Sequence, residues 1–199
     1  MEKIKNAKKE AAFVLSADKE ILKEYISRYP LHGEADIALL ERGDKELTKL
    51  YVSVFSFAVE AEIKLIELQD KELIRHYISR CGFEDEAKVK FLEMNDVELI
   101  QLYISKRPFF RKDLEFLELG NKELIELYIS KYRFNAEAEL KFMGLKDKEL
   151  IKLYITHHRL SDDAEMKLLE LKDMELNKMY ALNQGFSVRT QITLCELLA

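Results

Sequence analysis

Apolar residues recur along this chain with the 3.6-residue period of an amphipathic helix, in short runs broken by turn residues. In residues 121–130, Leu124, Ile125, Tyr128 and Ile129 share one face, while Glu123 and Ser130 fall outside it. The same run returns at a fixed interval. Asp18, Asp44, Asp70, Asp96, Asn121, Asp147 and Asp173 are separated by 26, 26, 26, 25, 26 and 26 residues. The copies DKELIRHYISRCGFEDEAKVKFLEMN, starting at Asp70, and DKELIKLYITHHRLSDDAEMKLLELK, starting at Asp147, show the likeness directly. Seven repeats therefore occupy 18–43, 44–69, 70–95, 96–120, 121–146, 147–172 and 173–199, with the one-residue deletion within Phe110 to Leu114.

Each copy predicts two short helices. Helix A opens on the Asp or Asn, whose side chain caps the free amides of the first turn. A Glu two residues later in every copy (Glu20, Glu46, Glu72, Glu98, Glu123, Glu149, Glu175) complements the helix dipole. Apolar residues fill repeat positions 4, 5, 8 and 9, and a turn of about three residues follows, with Pro30, Gly82, Pro108 or Gly185 in four copies. Helix B begins near Asn135, Ser161 or Ser187 and is expected to send Ala138, Leu140, Phe142, Met143 and Leu145, or their counterparts, inward. Residues 1–17 match helix B alone, with Ala11, Phe13 and Val14 on its apolar positions, as a capping half-repeat would.

A 26-residue hairpin cannot bury an apolar arc of roughly 200° by itself, but stacked hairpins can. The expected fold is all-α: one solenoid domain over 1–199, an α–α superhelix twisting to the right or left, with seven two-helix repeats and an N-terminal capping helix. The pattern resembles the HEAT-like class of α-solenoids, and strings of the type ELIxxYIS…EAE resemble short bihelical repeats of uncharacterised bacterial proteins. The copies are shorter than the roughly 40 residues of HEAT repeats and lack the tetratricopeptide signature. The resemblance implies a scaffold and carries no active site.

Positions that recur become rows. Tyr25, Tyr51, Tyr77, Tyr103, Tyr128, Tyr154 and Tyr180 stand mid-face on helix A, so buried rings with locally bonded hydroxyls are expected. Leu31, Phe57, Phe83, Phe109, Phe134, Leu160 and Phe186 would plug the hairpins, and Ala35, Ala61, Ala87, Ala138 and Ala164 would let helices approach closely. Ser27, Ser53, Ser79, Ser105, Ser130 and Thr156 read either as hydroxyls bonded back to the preceding turn or as a polar strip for a partner. Glu60–Lys64, Glu86–Lys90, Glu137–Lys141 and Asp163–Lys167 are spaced to pair along the outer face of helix B.

Composition narrows the chemistry. Only 6 Gly and 2 Pro among 199 residues argue against a β-barrel or a Gly-rich nucleotide fold. The net charge of -5 argues against general nucleic-acid binding. Cys81 and Cys195 lie four copies apart, too far to bridge, and the longest uncharged run near the start is too short for a membrane helix. A cytoplasmic protein without a membrane anchor is the expectation. HExxH, CxxC and P-loop patterns are missing, His157–His158 is an adjacent pair that shares no helix face, and His76 reads as packed. No carboxylate is expected to be deeply buried, and no catalytic group, metal site or cofactor is assigned.

The A–B turns gather cations along one edge: Arg28, Arg80, Lys106, Arg107, Arg111, Lys112, Lys131, Arg133, His157, His158 and Arg159. They read as complements to helix C-termini or as a ridge for a partner, with Arg28, Arg80, Lys106, Arg107, Lys131, Arg133, His157, His158 and Arg159 as the candidate contact residues. The expected function is a non-enzymatic scaffold binding a protein or peptide along one extended face. The alternative is nucleic-acid or acidic-partner binding through this edge.

Overall fold

The computed structural model describes residues 2–192, which are all-α and contain no strand. The chain divides into two compact units between Arg107 and Pro108. The first unit holds α1 (Ala7–Ser16), α2 (Lys19–Ile26), α3 (Gly33–Glu41), α4 (Lys45–Val52), α5 (Val59–Glu67), α6 (Lys71–Arg80), α7 (Asp85–Glu93) and α8 (Val97–Lys106). The second holds α9 (Asp113–Glu118), α10 (Lys122–Ile129), α11 (Ala136–Gly144), α12 (Lys148–His157), α13 (Asp162–Glu170) and α14 (Met174–Asn183). Even-numbered helices are the A helices of the repeat and odd-numbered ones the B helices. Each packs on its own kind in the next copy, α1 on α3 on α5 on α7 and α2 on α4 on α6 on α8. The second unit does the same, with α9 on α11 on α13 and α10 on α12 on α14. Each unit is thus a two-layer stack of helical hairpins, and α1 takes a B-helix place.

The caps explain where the helices start. Asp44, Asp70, Asp147 and Asp173 each accept two first-turn amides, while Asp18, Asp96 and Asn121 each accept one. Asn135 and Ser161 cap α11 and α13 in the same way. The fourth copy departs at its deletion: a 3-10 turn, Phe110–Lys112, leads into a B helix of only six residues. Phe110 there takes a left-handed φ of 54° and is 65% exposed.

The six links from α3 onward that lead from B to A are each closed by one left-handed residue placed directly before the next cap: Gly43, Gln69, Asn95, Gly120, Lys146 and Lys172. A left-handed residue there lets its amide close the end of the B helix. Only two of the six are glycine, so the low glycine content reflects strain tolerated at four links as well as shortness of the loops.

All seven tyrosines of the row are buried, and the plugging residues from Leu31 to Leu160 are 9% exposed or less. Phe186 is only half-buried. Tyrosines and plugs stack in alternation, with centroids 5.6 Å apart for Phe57–Tyr77, 5.3 Å for Tyr77–Phe83 and 6.0 Å for Phe83–Tyr103. The alanine row is fully buried. The inward face of helix B differs from expectation. Ala138, Phe142 and Met143 point in, but Leu140 is half-buried, Leu145 is 47% exposed, and Glu139 takes an interior place.

Between copies, the lysine after each cap reaches the next cap: Lys45–Asp70 and Lys71–Asp96 at 2.6 Å, Lys122–Asp147 at 2.9 Å and Lys148–Asp173 at 3.1 Å. These pairs are exposed on the lysine side and contribute little each. On helix B the expected i,i+4 pairs do not form. Lys64 and Lys141 reach back to Glu41 and Glu118 of the preceding copy, and Lys90 and Lys167 take Glu93 and Glu170 three residues on. The helix rise brings the i+3 carboxylate and the neighbouring copy as close as the i+4 partner.

Replacing Lys146 or Lys172 by Gly removes Cβ strain at a left-handed φ and returns some backbone entropy to the unfolded chain. Each variant is expected to gain about 0.5–1 kcal/mol in urea denaturation. The same change at Leu145, which has ordinary helical φ and ψ, should lose stability.

Candidate functional site

The largest departure from the sequence reading is a buried acid on helix B. Glu10, Asp36, Glu62, Asp113, Glu139 and Glu165 are 0–2% exposed. An ionised carboxyl in such a place must be met by donors, and the donors come from the next copy. Tyr25, Tyr77, Tyr128, Tyr154 and Tyr180 donate their hydroxyls to Glu10, Glu62, Asp113, Glu139 and Glu165 at 2.5, 2.6, 2.6, 2.8 and 2.8 Å. The second carboxylate oxygen accepts a backbone amide from the following A–B turn. His32, Ala58, Glu84, Asn135, Ser161 and Ser187 donate to Glu10, Asp36, Glu62, Asp113, Glu139 and Glu165.

Tyrosine oxygens of the row also accept amides, from Ile4, Leu31, Phe109, Phe134 and Leu160 to Tyr25, Tyr51, Tyr128, Tyr154 and Tyr180. The hydroxyls are therefore bonded across copies and not locally as expected. Asp36 accepts the Ala58 amide and is acted on by the Tyr51 hydroxyl, but its buried Oδ1 has no partner within hydrogen-bond distance. Lys88 stands where the third copy would carry its acid, and it pairs with Asp85 at 2.8 Å.

Burial dominates the titration of two of these acids. It pushes Asp36 up to about 6, against the Ala58 amide. It pushes Glu62 up to about 7, against the Tyr77 hydroxyl, the Glu84 amide and the Lys88 charge, with Glu84's own charge adding to the rise. Glu165 is also pushed up by burial, but hydrogen bonds from Thr190, Ser187 and Tyr180 outweigh this and leave it below the usual range. The bonded members of this network face one another, so its chemistry is that of a clamp between repeats. His32 adds a polar tip at the first clamp, with Nδ1 2.6 Å from Glu10 Oε2.

The cations of the A–B turns are largely engaged. Arg80, Arg107 and His158 donate to, or contact, the carbonyls of Ser53, Ile78 and Ile129 at the end of the preceding A helix, at 3.4, 3.2 and 2.6 Å. Arg107 also lies over the Tyr103 ring, 5.9 Å from its centroid. Arg133 pairs with the buried Glu139 at 3.3 Å, Arg28 with Glu24 at 3.1 Å and Lys112 with Glu115 at 3.0 Å. His157 Nδ1 is 2.9 Å from its own helix's Leu153 carbonyl. Lys106, Lys131 and Arg159 remain exposed to solvent. Arg28, Arg80, Lys106 and Arg107 belong to the first unit and Lys131, Arg133, His157, His158 and Arg159 to the second.

The hydroxyl row resolves into the structural alternative. Ser27, Ser53, Ser79, Ser105 and Ser130 donate to the carbonyl three residues back, and Thr156 to the one four back. His76 is half-buried, 3.3 Å from the Lys49 carbonyl. Cys81 is a half-buried free thiol, raised by burial; Cys195 lies outside the described residues. Among the described residues no three His, Cys, Asp or Glu side chains are grouped to hold a metal ion, and no helix is long and apolar enough to cross a membrane. A shallow groove does run between α2 and α4, lined by Lys23, Glu46, Leu47, Lys49, Leu50 and Ser53. Comparison with protein-family models, curated proteins and solved structures finds no match.

Two outcomes follow from the clamp. Tyr154→Phe strips a donor from the buried Glu139 carboxylate and should cost about 1–3 kcal/mol in urea denaturation. Asp36 and Glu62 bind protons more tightly folded than unfolded, since unfolded carboxyls titrate near 4. Stability of the first unit should therefore fall as pH rises from about 4 to 7 and level off above. The difference between the denaturation midpoints of wild type and Glu62→Gln isolates that slope. An unchanged slope in Glu62→Gln would contradict the assignment.

Proposed function

We propose that this chain is a non-enzymatic, cytoplasmic helical-repeat scaffold, HEAT-like in packing pattern, that holds a protein or peptide partner along one extended helical face. The observation that carries this reading is the division of labour within each repeat. The buried carboxylates, with Arg80, Arg107 and His158 of the A–B turns, bond to neighbouring copies, which leaves the outward helical faces to recognition. The groove between α2 and α4 is one such contact place between adjacent repeats, and weak contacts add along the stack. The alternative, binding of nucleic acid or an acidic partner at the turn edge, rests on Lys106, Lys131 and Arg159.

Photo-crosslinkers at Leu50 on helix A, Ile63 on helix B and Lys131 on the edge of the full chain test this in extract of the native host. A discrete protein adduct from Leu50 or Ile63, undiminished by Lys106→Glu, Lys131→Glu and Arg159→Glu together, is the expected result. Adducts from Lys131 alone, to nucleic acid and lost with rising salt, would transfer the function to the edge.

A further inference from the structure

The outward stripe of each B helix falls at four recurring positions spaced i, i+3, i+4 and i+7, which share one helix face. In α5 and α7 these are Glu60–Ile63–Lys64–Glu67 and Glu86–Val89–Lys90–Glu93; in α3 they are Glu34–Ile37–Ala38–Glu41, of which Ala38 is buried. The three stripes lie side by side on one surface. Lys64 of α5 reaches Glu41 of α3 at 3.8 Å, and Glu67 of α5 acts on the Lys90 ammonium of α7. Ile37, Ile63 and Val89 are half-buried and form an apolar line between two lines of exposed glutamates.

The charge balance of this surface is one-sided. Six carboxylates face two lysines, and the chain as a whole carries only -5. Glu34, Glu60, Glu67 and Glu86 take part in no ion pair among the described residues, while Lys64 and Lys90 are already engaged. In the second unit the line of Glu34, Glu60 and Glu86 continues as Arg111, Glu137 and Asp163, so one place is cationic and Asp163 is paired with Arg189. Unpaired like charges on adjacent helices repel one another, and a partner that brings cations relieves that repulsion as it binds. The apolar line asks for apolar groups between those cations.

We infer that the outward face of α3, α5 and α7 docks a basic segment of a partner protein, with lysines or arginines set against the two glutamate lines and apolar side chains against Ile37, Ile63 and Val89. This rests on the scaffold reading above and names its face and the chemistry of its partner.

The probe is a labelled peptide of lysines and leucines in helical alternation, compared with its glutamine–leucine analogue, titrated into the full chain by fluorescence anisotropy. Glu34→Gln, Glu60→Gln and Glu86→Gln together remove exposed first-turn charges, so circular dichroism should stay put and the urea midpoint should fall only slightly. The triple variant should weaken lysine-peptide binding about tenfold or more and flatten its salt dependence. Ile63→Ser alone should also weaken it. Removing three exposed charges in the second unit, with Glu123→Gln, Glu137→Gln and Glu149→Gln, should leave it unchanged. Equal binding of the two peptides, or equal loss in both triple variants, would overturn the inference. If the partner crosslinked from Leu50 is still captured by the first triple variant, the scaffold reading survives and only this face is wrong.

Discussion

Everything in this molecule depends on a carboxylate that cannot be satisfied inside its own repeat. Glu62 is buried on α5, yet both its donors, the Tyr77 hydroxyl and the Glu84 amide, arrive with the next copy. A lone carboxyl in that place would carry a desolvation cost of several kcal/mol. A single hairpin is therefore incomplete in its polar interior as well as in its apolar face. The capping helix α1 makes the same sense: it contributes Glu10, without which Tyr25 and the His32 amide would lack an acceptor. At the other end, the position that would hold the next acid is Gln191, whose amide turns back to the Phe186 carbonyl. The acid row begins one helix before the first tyrosine and stops with the last.

Replacing such a pair by apolar residues is often neutral for stability, so the clamp is better understood as a register device. A tyrosine hydroxyl finds its acid 15 residues back and no other distance serves. Slipping one hairpin along the next would break the ring stack and the clamp together. The deletion in the fourth copy respects this constraint. It falls before Asp113, and Asp113 still meets Tyr128 fifteen residues later. The shortened segment is the turn, where a 3-10 turn and the left-handed Phe110 absorb the missing residue. Lys88 is the interior position that departs, and its charge is met by Asp85 within its own helix.

The period, the caps, the hydroxyl row and the burial of the tyrosines were legible in the sequence, because each depends on contacts within one helix or on a strict repeat of apolar positions. The buried acids were not, although a signal was present. Helix A sends repeat positions 4, 5, 8 and 9 inward, and helix B sends in the same pattern fourteen residues later, as in Ala61, Glu62, Leu65 and Ile66. The acid occupies one of four inward places. Charge suggested solvent, and the exposure of Leu145 was missed for the converse reason. The cationic edge failed differently. Arg80, Arg107 and His158 lie 27 to 29 residues from the carbonyls they meet, distances that only the stacking of copies makes short.

These two errors share one lesson about where recognition can reside. Residues that repeat with the period are held by the clamp, the caps and the ring stack, and are spent on holding copies together. Residues free to differ between copies are the outward ones, and there the units diverge. Glu34, Glu60 and Glu86 repeat in the first unit without cations to meet them, whereas Asp163 in the corresponding place of the second meets Arg189. A net charge of -5 spread evenly would say little about a partner. Concentrated beside Ile37, Ile63 and Val89, it marks a surface whose own repulsion is unrelieved within the chain. Screening by salt weakens that repulsion only in part across side chains a helix spacing of about 8–10 Å apart, comparable to the Debye length. The inward acids are met by donors from the next copy; Glu34, Glu60 and Glu86 take part in no ion pair among the described residues, and that asymmetry is what separates architecture from function here.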